Sequence, residues 1–411
     1  MKVETGIYSS PEHGKLEVVE RKGIGHPDTV ADQLAEVVSI EYTKYCINTF
    51  GYPLAHNVDK IGVMGGKPNI DWGMGELEKP IRVLLNGRIT RDFEGKVIPV
   101  LDIAVDAAKK QLQKALPSLD VNSQVVFLDE TTDYSKYSYK FHPRNVDDVP
   151  EIKNAYASDT VVVVSHYPKT PVENATLALE GFFYDQNGLP RFQDVGQDIK
   201  VMVRRFENDY KITLCVPFFA THTRSEDGYW NRKKELEASL LKFAGELLPE
   251  ASTIELFVNP SDQYRNNRNE PRPSRVYYLV AAGGALDYGE EGFVGRGNDR
   301  HGIIPSNRTH TMEAPYGKNP KYHAGKVLAV VADAISEEIG KKFNCEVEAW
   351  IMPNNGDPLL HPSYMAINTS ANIGITEIQP IIDDILSRTN WTDMIIYNAL
   401  FVHKTGNLMN K

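Results

Sequence analysis

The feature that most constrains this chain is a glycine-rich, cationic segment at residues 283–326, which is too irregular to be one helix or strand. Its nine glycines, which free the backbone for close approach to a ligand, stand at positions 283, 284, 289, 292, 295, 297, 302, 317 and 325. Between residues 296 and 326, six Arg or Lys residues stand against two acidic ones, although the whole chain carries a net charge of -10. Loops of this kind bind phosphates through arginine side chains and exposed amides. The segment therefore predicts a phosphate site, and the alternative is a solvated surface loop.

Composition narrows the class of protein. A chain of 411 residues with 41% hydrophobic and 24% charged residues is typical of a globular protein of two or three domains. The negative net charge argues against non-specific nucleic-acid binding, so no nucleic-acid partner is expected. The three cysteines form no CxxC pair and support neither a zinc site nor a disulfide framework. No run approaches the roughly 20 apolar residues of a membrane span, so we expect no membrane partner and a cytoplasmic location.

Strand-like and helix-like patterns alternate along the chain in three comparable blocks, which favours an α/β or α+β fold of repeated units. Strands are expected at 15–23, 81–90, 123–129, 160–165, 198–206, 210–219, 253–259, 276–284 and 346–352. Helices are expected at 28–45, 100–116, 170–183, 232–248, 326–343 and 373–402. The polar stretch at 259–275 is expected to be a loop that either carries function or only connects its neighbours.

The stretch ERKGIGHPDTVADQLAE, residues 20–36, places an imidazole and a carboxylate where a strand turns into a helix. Asp28 alone would most often be a helix cap. Chemistry on a polyphosphate, however, needs a divalent cation held by oxygen ligands and a donor that stabilises charge on the leaving oxygen. Asp28 could be an oxygen ligand of the cation and His26 the donor to the leaving oxygen, with Lys22 nearby. We therefore interpret this turn as part of the phosphate site.

Two further stretches contain polar residues that could serve the same site. Asp198 and Lys200 lie two apart on an expected strand and so face the same side, as they also would on an exposed polar sheet face. Asn57 and Asp59 precede a double glycine at 65–66 and are ambiguous alone. No GxxxxGK[ST] or GxGxxG motif occurs, so any nucleotide site here is neither a P-loop nor a dinucleotide-binding turn.

Taken together, ERKGIGHPD (20–28), HNVDK…GG (56–66), VGQDIKVM (195–202) and the long stretch DYGEEGFVGRGNDRHG…YHAGK (287–326) resemble the archaeal-type S-adenosylmethionine synthetases, or methionine adenosyltransferases. The resemblance implies an α+β fold of three intertwined repeats with similar strand–helix topology and sheets packed around a pseudo-threefold axis. The approximate repeats would be residues 1–125, 126–250 and 251–411, the last with the phosphate loop and C-terminal helices.

The resemblance also implies an activity and a site. The adenosyl group of ATP would be transferred to the sulfur of L-methionine, with release of phosphate and diphosphate via triphosphate. Mg2+ and K+ would be the cofactors, and a homodimer would carry active sites at its interface. The implied catalytic residues are His26, Lys200, Arg296 and Lys318. The implied ATP- or methionine-binding residues are Asn57, Asp59, Asp159, Asp198 and Glu290, and the implied metal ligand is Asp28.

The chain departs from the family pattern mainly where methionine would bind. DETTDYSKYSY (129–139) stands where a Gly-Gln-Gly-Ser stretch is usual, and VVVVSHYP (161–168) replaces a glycine-rich run. Glu290 and Glu291 stand for an Asp pair, and Gln197 for an acid. Three alternatives therefore stay open: a paralogue that adenosylates another sulfur acceptor, an enzyme acting mainly as a triphosphatase, and a catalytically inactive partner subunit.

Overall fold

A computed structural model describes residues 1–137, 139–157, 159–262 and 273–409 of the chain. The expected α+β class is confirmed, because helices pack against three main sheets of mixed strand direction. The strands are β1 (Lys2–Ile7), β2 (Leu16–Lys22), β3 (His56–Asn57), β4 (Gly62–Met64), β5 (Lys67–Asp71), β6 (Met74–Lys79), β7 (Ile81–Ile89), β8 (Asp92–Phe93), β9 (Lys96–Val97), β10 (Val125–Thr132), β11 (Val163–Tyr167), β12 (Lys200–Phe206), β13 (Asp209–Cys215), β14 (Phe218–Phe219), β15 (Thr253–Val258), β16 (Leu279–Val280), β17 (Glu291–Phe293), β18 (Ile304–Pro305), β19 (Val347–Met352) and β20 (Tyr364–Thr369). The helices are α1 (Pro27–Phe50), α2 (Val100–Ala115), α3 (Pro171–Gly181), α4 (Glu226–Leu247), α5 (Ala324–Phe343), α6 (Ile375–Ser387), α7 (Trp391–Tyr397) and α8 (Gly406–Met409).

The three main sheets draw their strands from distant parts of the chain. One has the order β10-β7-β4-β17, with β3 beside β7; the second is β15-β13-β12-β2-β18; the third is β1-β20-β19-β11. Thus β2, near the N-terminus, pairs antiparallel with β12, and β1 pairs parallel with β20. The strands are interleaved along the sequence. The threefold axis and the boundaries of the three repeats stay predictions.

Two hydrophobic cores hold the helices against the sheets. In the larger core, side chains of α1, α2 and α5 pack with the first and third sheets. In the second core, α3 and α4 pack on one face of the sheet that contains β2 and β12. Across the described ranges, no helix has the length and apolar character that crossing a membrane requires.

The expected strand at 276–284 is wrong for most of its length, since only β16 is extended and paired there. The reason is that the backbone amides beyond β16 bind carboxylates instead of a neighbouring strand. Asp287 Oδ2 accepts from the amides of Ala281 and Ala282 at 2.6 and 2.8 Å, and Asp198 accepts from the amide of Ala285 at 2.9 Å. The segment is therefore a carboxylate-bound loop.

The C-terminal region contains two helices where the sequence predicted one. The expected helix at 373–402 is two helices, α6 and α7, because Arg388 is extended and ends the first. Strands β1 and β20, which complete the third sheet, were not expected. The stretch 263–272, which makes up most of the expected loop at 259–275, lies outside the described residues.

One buried arginine joins four segments beside the start of α1. Arg21 is fully buried, and its Nε donates to Glu180 Oε2 of α3 at 3.1 Å. The same guanidinium donates to the carbonyl oxygens of Gly302 and Lys404, the second at 2.6 Å. Strand β2, helix α3, the glycine-rich segment and the C-terminal residues are therefore held by a single charged group.

Replacing Arg21 with Met is expected to lower the free energy of unfolding by about 3–5 kcal/mol, because Glu180 is left as an uncompensated buried charge. Chemical denaturation measures this change. Arg204→Met is the matched control, since Arg204 is exposed on β12, and its effect is expected to stay within about 0.5 kcal/mol. Equal stability of the two variants would contradict the role given to Arg21.

Candidate active site

A cleft of about 560 Å³ opens beside the N-terminus of α1. Its lining brings together four residues that the sequence placed in the site, namely His26, Asp198, Lys200 and Glu290. Tyr278 and the exposed thiol of Cys215 line it as well. Lys200 and Cys215 come from β12 and β13, Asp198 and Tyr278 from the residues just before β12 and β16, and His26 and Glu290 from the start of α1 and the loop before β17. The cleft therefore forms where the second sheet and α1 meet.

His26 is the N-cap of α1, and its position fixes the proton on its ring. Its Nδ1 accepts from the backbone N–H of Asp28 at 3.2 Å, with Pro27 between them in the first helical turn. A neutral ring that accepts at Nδ1 carries its proton on Nε2. Burial lowers the pKa of His26, against the opposing charge of Asp198. At neutral pH, His26 is therefore a neutral imidazole with an Nε2–H donor.

Asp198 and Glu290 make one side of the cleft acidic. Asp198 is buried and accepts from the hydroxyl of Tyr278 at 2.8 Å and from the amide of Ala285 at 2.9 Å. Partial burial and the nearby charge of Asp198 raise the pKa of Glu290. Two carboxyl groups close together favour a cation or hydroxyl donors between them, such as an ammonium group or a ribose.

Lys200 faces these acids from β12. Its Nζ lies 3.2 Å from Glu20 Oε2 on β2, and two-fifths of its side chain is exposed (41%). The ammonium group can therefore turn toward a ligand without leaving a buried acid unpaired.

Asp28 lies directly behind His26 and is buried. Its Oδ1 accepts from the amide of Phe293 at 3.2 Å, and its Oδ2 accepts from Lys22 Nζ at 2.8 Å. The same Nζ donates to the carbonyl oxygen of Arg296 at 2.5 Å. The backbone of Arg296 is thus beside the cleft, whereas its exposed side chain does not line it.

Three carboxylates on one face of α1 bind the glycine-rich segment at successive turns. Asp28 binds the amide of Phe293, Asp32 binds that of Gly295 at 2.8 Å, and Glu36 binds that of Gly317 at 3.1 Å. Residues four apart lie above one another on a helix, so this row spans about 12 Å. We call Asp28, Asp32 and Glu36 the carboxylate row.

The remaining predicted residues form a second group at the far end of that row. Lys318, which follows Gly317, is bridged through its backbone to Asn57, and its side chain is ion-paired with Glu313. Asp59 and Asp159 act electrostatically on Lys318. The single chain therefore arranges the predicted residues in two groups, one at each end of the carboxylate row.

Sequence reasoning missed the role of Asp32, Glu36 and Lys326. Lys326 and Glu36 form a fully buried ion pair at 2.7 Å, and Lys326 also donates to the carbonyl oxygen of Lys318 at 2.9 Å. The signal was present in the sequence, since three acids at a spacing of four on a helix fall on one face. That spacing does not predict which groups the three acids bind.

Burial lowers the pKa of Lys318 to about 8, although Asp59 opposes the shift. An anion binds the protonated ammonium, so affinity for inorganic tripolyphosphate is expected to fall as pH rises from 7 to 9. In Lys318→Arg the affinity should fall less between pH 7 and 9, because a guanidinium stays charged over that range. Calorimetric dissociation constants measure both profiles, and identical slopes for the two proteins would contradict a phosphate contact at Lys318.

Comparison with known proteins shows the family of this chain. The family model of S-adenosylmethionine synthetase (AdoMet synthetase) matches residues 1–398. An uncharacterized protein of Streptococcus pyogenes serotype M1 is 36% identical over 412 residues, covering 99% of this chain and 98% of that one. The S-adenosylmethionine synthase of Pyrobaculum aerophilum is 32% identical over 93% of this chain and 94% of its own. The S-adenosylmethionine synthase of Pyrococcus furiosus is also 32% identical, over 89% of this chain and 88% of its own. The archaeal resemblance is confirmed, and the chain belongs to the S-adenosylmethionine synthetase family.

Proposed function

We propose that this protein transfers the adenosyl group of ATP to the sulfur of L-methionine, forming S-adenosylmethionine and releasing phosphate and diphosphate via triphosphate. Family membership makes it an S-adenosylmethionine synthetase relative. The observation that carries the proposal is the cleft at the start of α1, where a neutral His26 donor stands with Lys200 opposite two acids.

The chemistry needs the kind of site that these residues form. Methionine sulfur attacks C5′ of ATP, the C5′–O bond breaks as the C5′–S bond forms, and the electron pair leaves on triphosphate. A thioether has no proton to lose, so no general base is required. The protein must instead align sulfur with C5′ and stabilise charge on the departing oxygen.

The residues that the family resemblance assigned to this end of the site have roles in this scheme. His26 donates from Nε2 to the oxygen that leaves C5′, and Lys200 pairs with the phosphates. The side chain of Arg296, which does not line the cleft, would reach the phosphates by turning inward from its exposed position. Asp198 and Glu290 bind the ammonium group of methionine or the ribose. Water then attacks a terminal phosphorus of the triphosphate, which the same cations hold, and cleavage of that P–O–P bond gives phosphate and diphosphate.

The second group would complete the site from the partner subunit of a homodimer. Lys318 would hold phosphates, and Asn57, Asp59 and Asp159 would bind ATP or methionine. Their place at the other end of the carboxylate row supports this assignment, because one chain then offers half of each of two sites. ATP as substrate favours a cytoplasmic location.

AdoMet synthetases generally use Mg2+ and K+. Among the residues that the structure describes, no three His, Cys, Asp or Glu side chains converge to hold a metal ion. A single carboxylate still fits Mg2+, because proteins often hold this ion with one or two carboxylates while substrate phosphates and water complete its coordination shell. Asp28 would be its protein ligand, since two oxygens offer about four acceptor positions and only two are used. When bound, Mg2+ neutralises charge on the phosphates.

The proposal is tested by incubating the purified protein with ATP, Mg2+, K+ and L-methionine and following S-adenosylmethionine and phosphate by mass spectrometry. Methionine-dependent S-adenosylmethionine is the expected product. Phosphate without a sulfonium would point to a triphosphatase, and a sulfonium formed only with another thioether would point to a different acceptor. Neither product would indicate an inactive partner subunit.

His26→Ala is expected to lower kcat by about 100-fold or more while changing ATP affinity little, because the donor acts on charge that develops during the reaction. Steady-state kinetics and equilibrium ATP binding measure the two effects. His26→Asn, which keeps a side-chain donor at the helix start, should recover part of the rate. Equal losses in kcat and affinity would contradict the role of His26.

A further inference from the structure

Lys22 is an ammonium group beside the cleft that the scheme above leaves without a function. It is the last residue of β2, and Lys200 lies opposite it on β12. Cross-strand partners point to the same face of a sheet, so the two lysine side chains leave the same face. Each ammonium group has its own acidic partner, Asp28 for Lys22 and Glu20 for Lys200, so this edge of the sheet carries both signs of charge.

The backbone of Lys22 is fixed by the glycine-rich segment. The side chain of buried Asn298 accepts from the amide of Lys22 at 2.9 Å and donates to its carbonyl oxygen at 2.7 Å. Thr29 donates to the same carbonyl at 3.2 Å. The start of the Lys22 side chain therefore has little freedom, which lowers the entropic cost of holding its charge in one place.

Lys22 Nζ lies between two oxygen atoms of the kind that also bind cations. A carboxylate oxygen of Asp28 lies 2.8 Å away and the carbonyl oxygen of Arg296 lies 2.5 Å away. Hard cations are bound in proteins by such oxygen atoms. Two of the three N–H groups are used by these contacts, and the third can be donated to a phosphate oxygen.

We propose that the Lys22 ammonium is a built-in monovalent cation of the triphosphate site, standing beside Asp28 where a potassium ion would otherwise bind. This inference rests on the proposed function, which supplies the triphosphate that Lys22 would contact. It departs from the family expectation of K+, because a tethered charge at this position makes a free potassium ion unnecessary there.

The test compares ion dependence in wild type and Lys22→Met. With K+ replaced by tetramethylammonium at constant ionic strength, wild-type activity should be unchanged. Lys22→Met should lose activity by about 100-fold, as for loss of a charge-stabilising group, and ammonium or potassium ions should restore much of it. Lys15→Met is the matched control, because Lys15 precedes β2 and pairs with Glu207 at the exposed surface; it should behave as wild type.

A second measurement does not depend on turnover. Melting temperature is followed without ATP in KCl, NH4Cl or NaCl. Lys22→Met should gain stability from K+ and NH4+ but not from Na+, whereas wild type and Lys15→Met should not distinguish the ions. This result decides the inference even if wild type forms no S-adenosylmethionine. Lys22→Gln, which keeps a donor without the charge, serves if Lys22→Met does not fold.

Two outcomes would overturn the proposal. One is a wild-type protein whose activity requires K+. The other is a Lys22 variant whose melting temperature responds alike to Na+, K+ and NH4+.

Discussion

The carboxylate row of α1 is the constraint on which the site depends. Asp28, Asp32 and Glu36 hold backbone amides of the glycine-rich segment at three successive turns. Buried carboxylates are stable only when hydrogen-bonded or paired, and backbone amides in a loop need acceptors. The loop amides thus gain acceptors, and each carboxylate gains a donor on one of its oxygens. A long segment with little secondary structure of its own thereby gains a fixed path.

The glycines of that segment have a second use beyond ligand approach. A Cβ at Gly292 would lie 2.0 Å from the carbonyl oxygen of Pro27, and one at Gly297 would lie 2.1 Å from Asp32 Oδ2. A side chain at 292 would push the segment off the backbone of α1, and one at 297 would displace the Asp32 carboxylate that binds the amide of Gly295. The contact that orders the cationic residues therefore requires glycine at 292 and would be disturbed by a side chain at 297, whatever binds in the cleft.

The sequence predicted what local patterns determine. The helix after His-Pro-Asp, the strand before it and the α+β class are confirmed, because capping, periodicity and alternation are encoded nearby. The region 276–284 was mispredicted, since the amides of Ala281 and Ala282 bind Asp287, and apolar residues alone gave no sign of that. The meeting of His26, Asp198, Lys200 and Glu290 in one cleft followed from family resemblance rather than from spacing. The position of Lys22 between Asp28 and Arg296 required the fold itself.

The regular spacing of the carboxylate row along α1 sets the spacing of the loop amides that it binds. One residue inserted between Asp28 and Glu36 would rotate everything beyond it by about 100° and advance it by about 1.5 Å. Glu36 would then turn away from Gly317, and the loop bearing Lys318 would lose its anchor while the cleft at His26 stayed intact. Length changes in this protein can therefore accumulate in its surface loops, but the first three turns of α1 tolerate none.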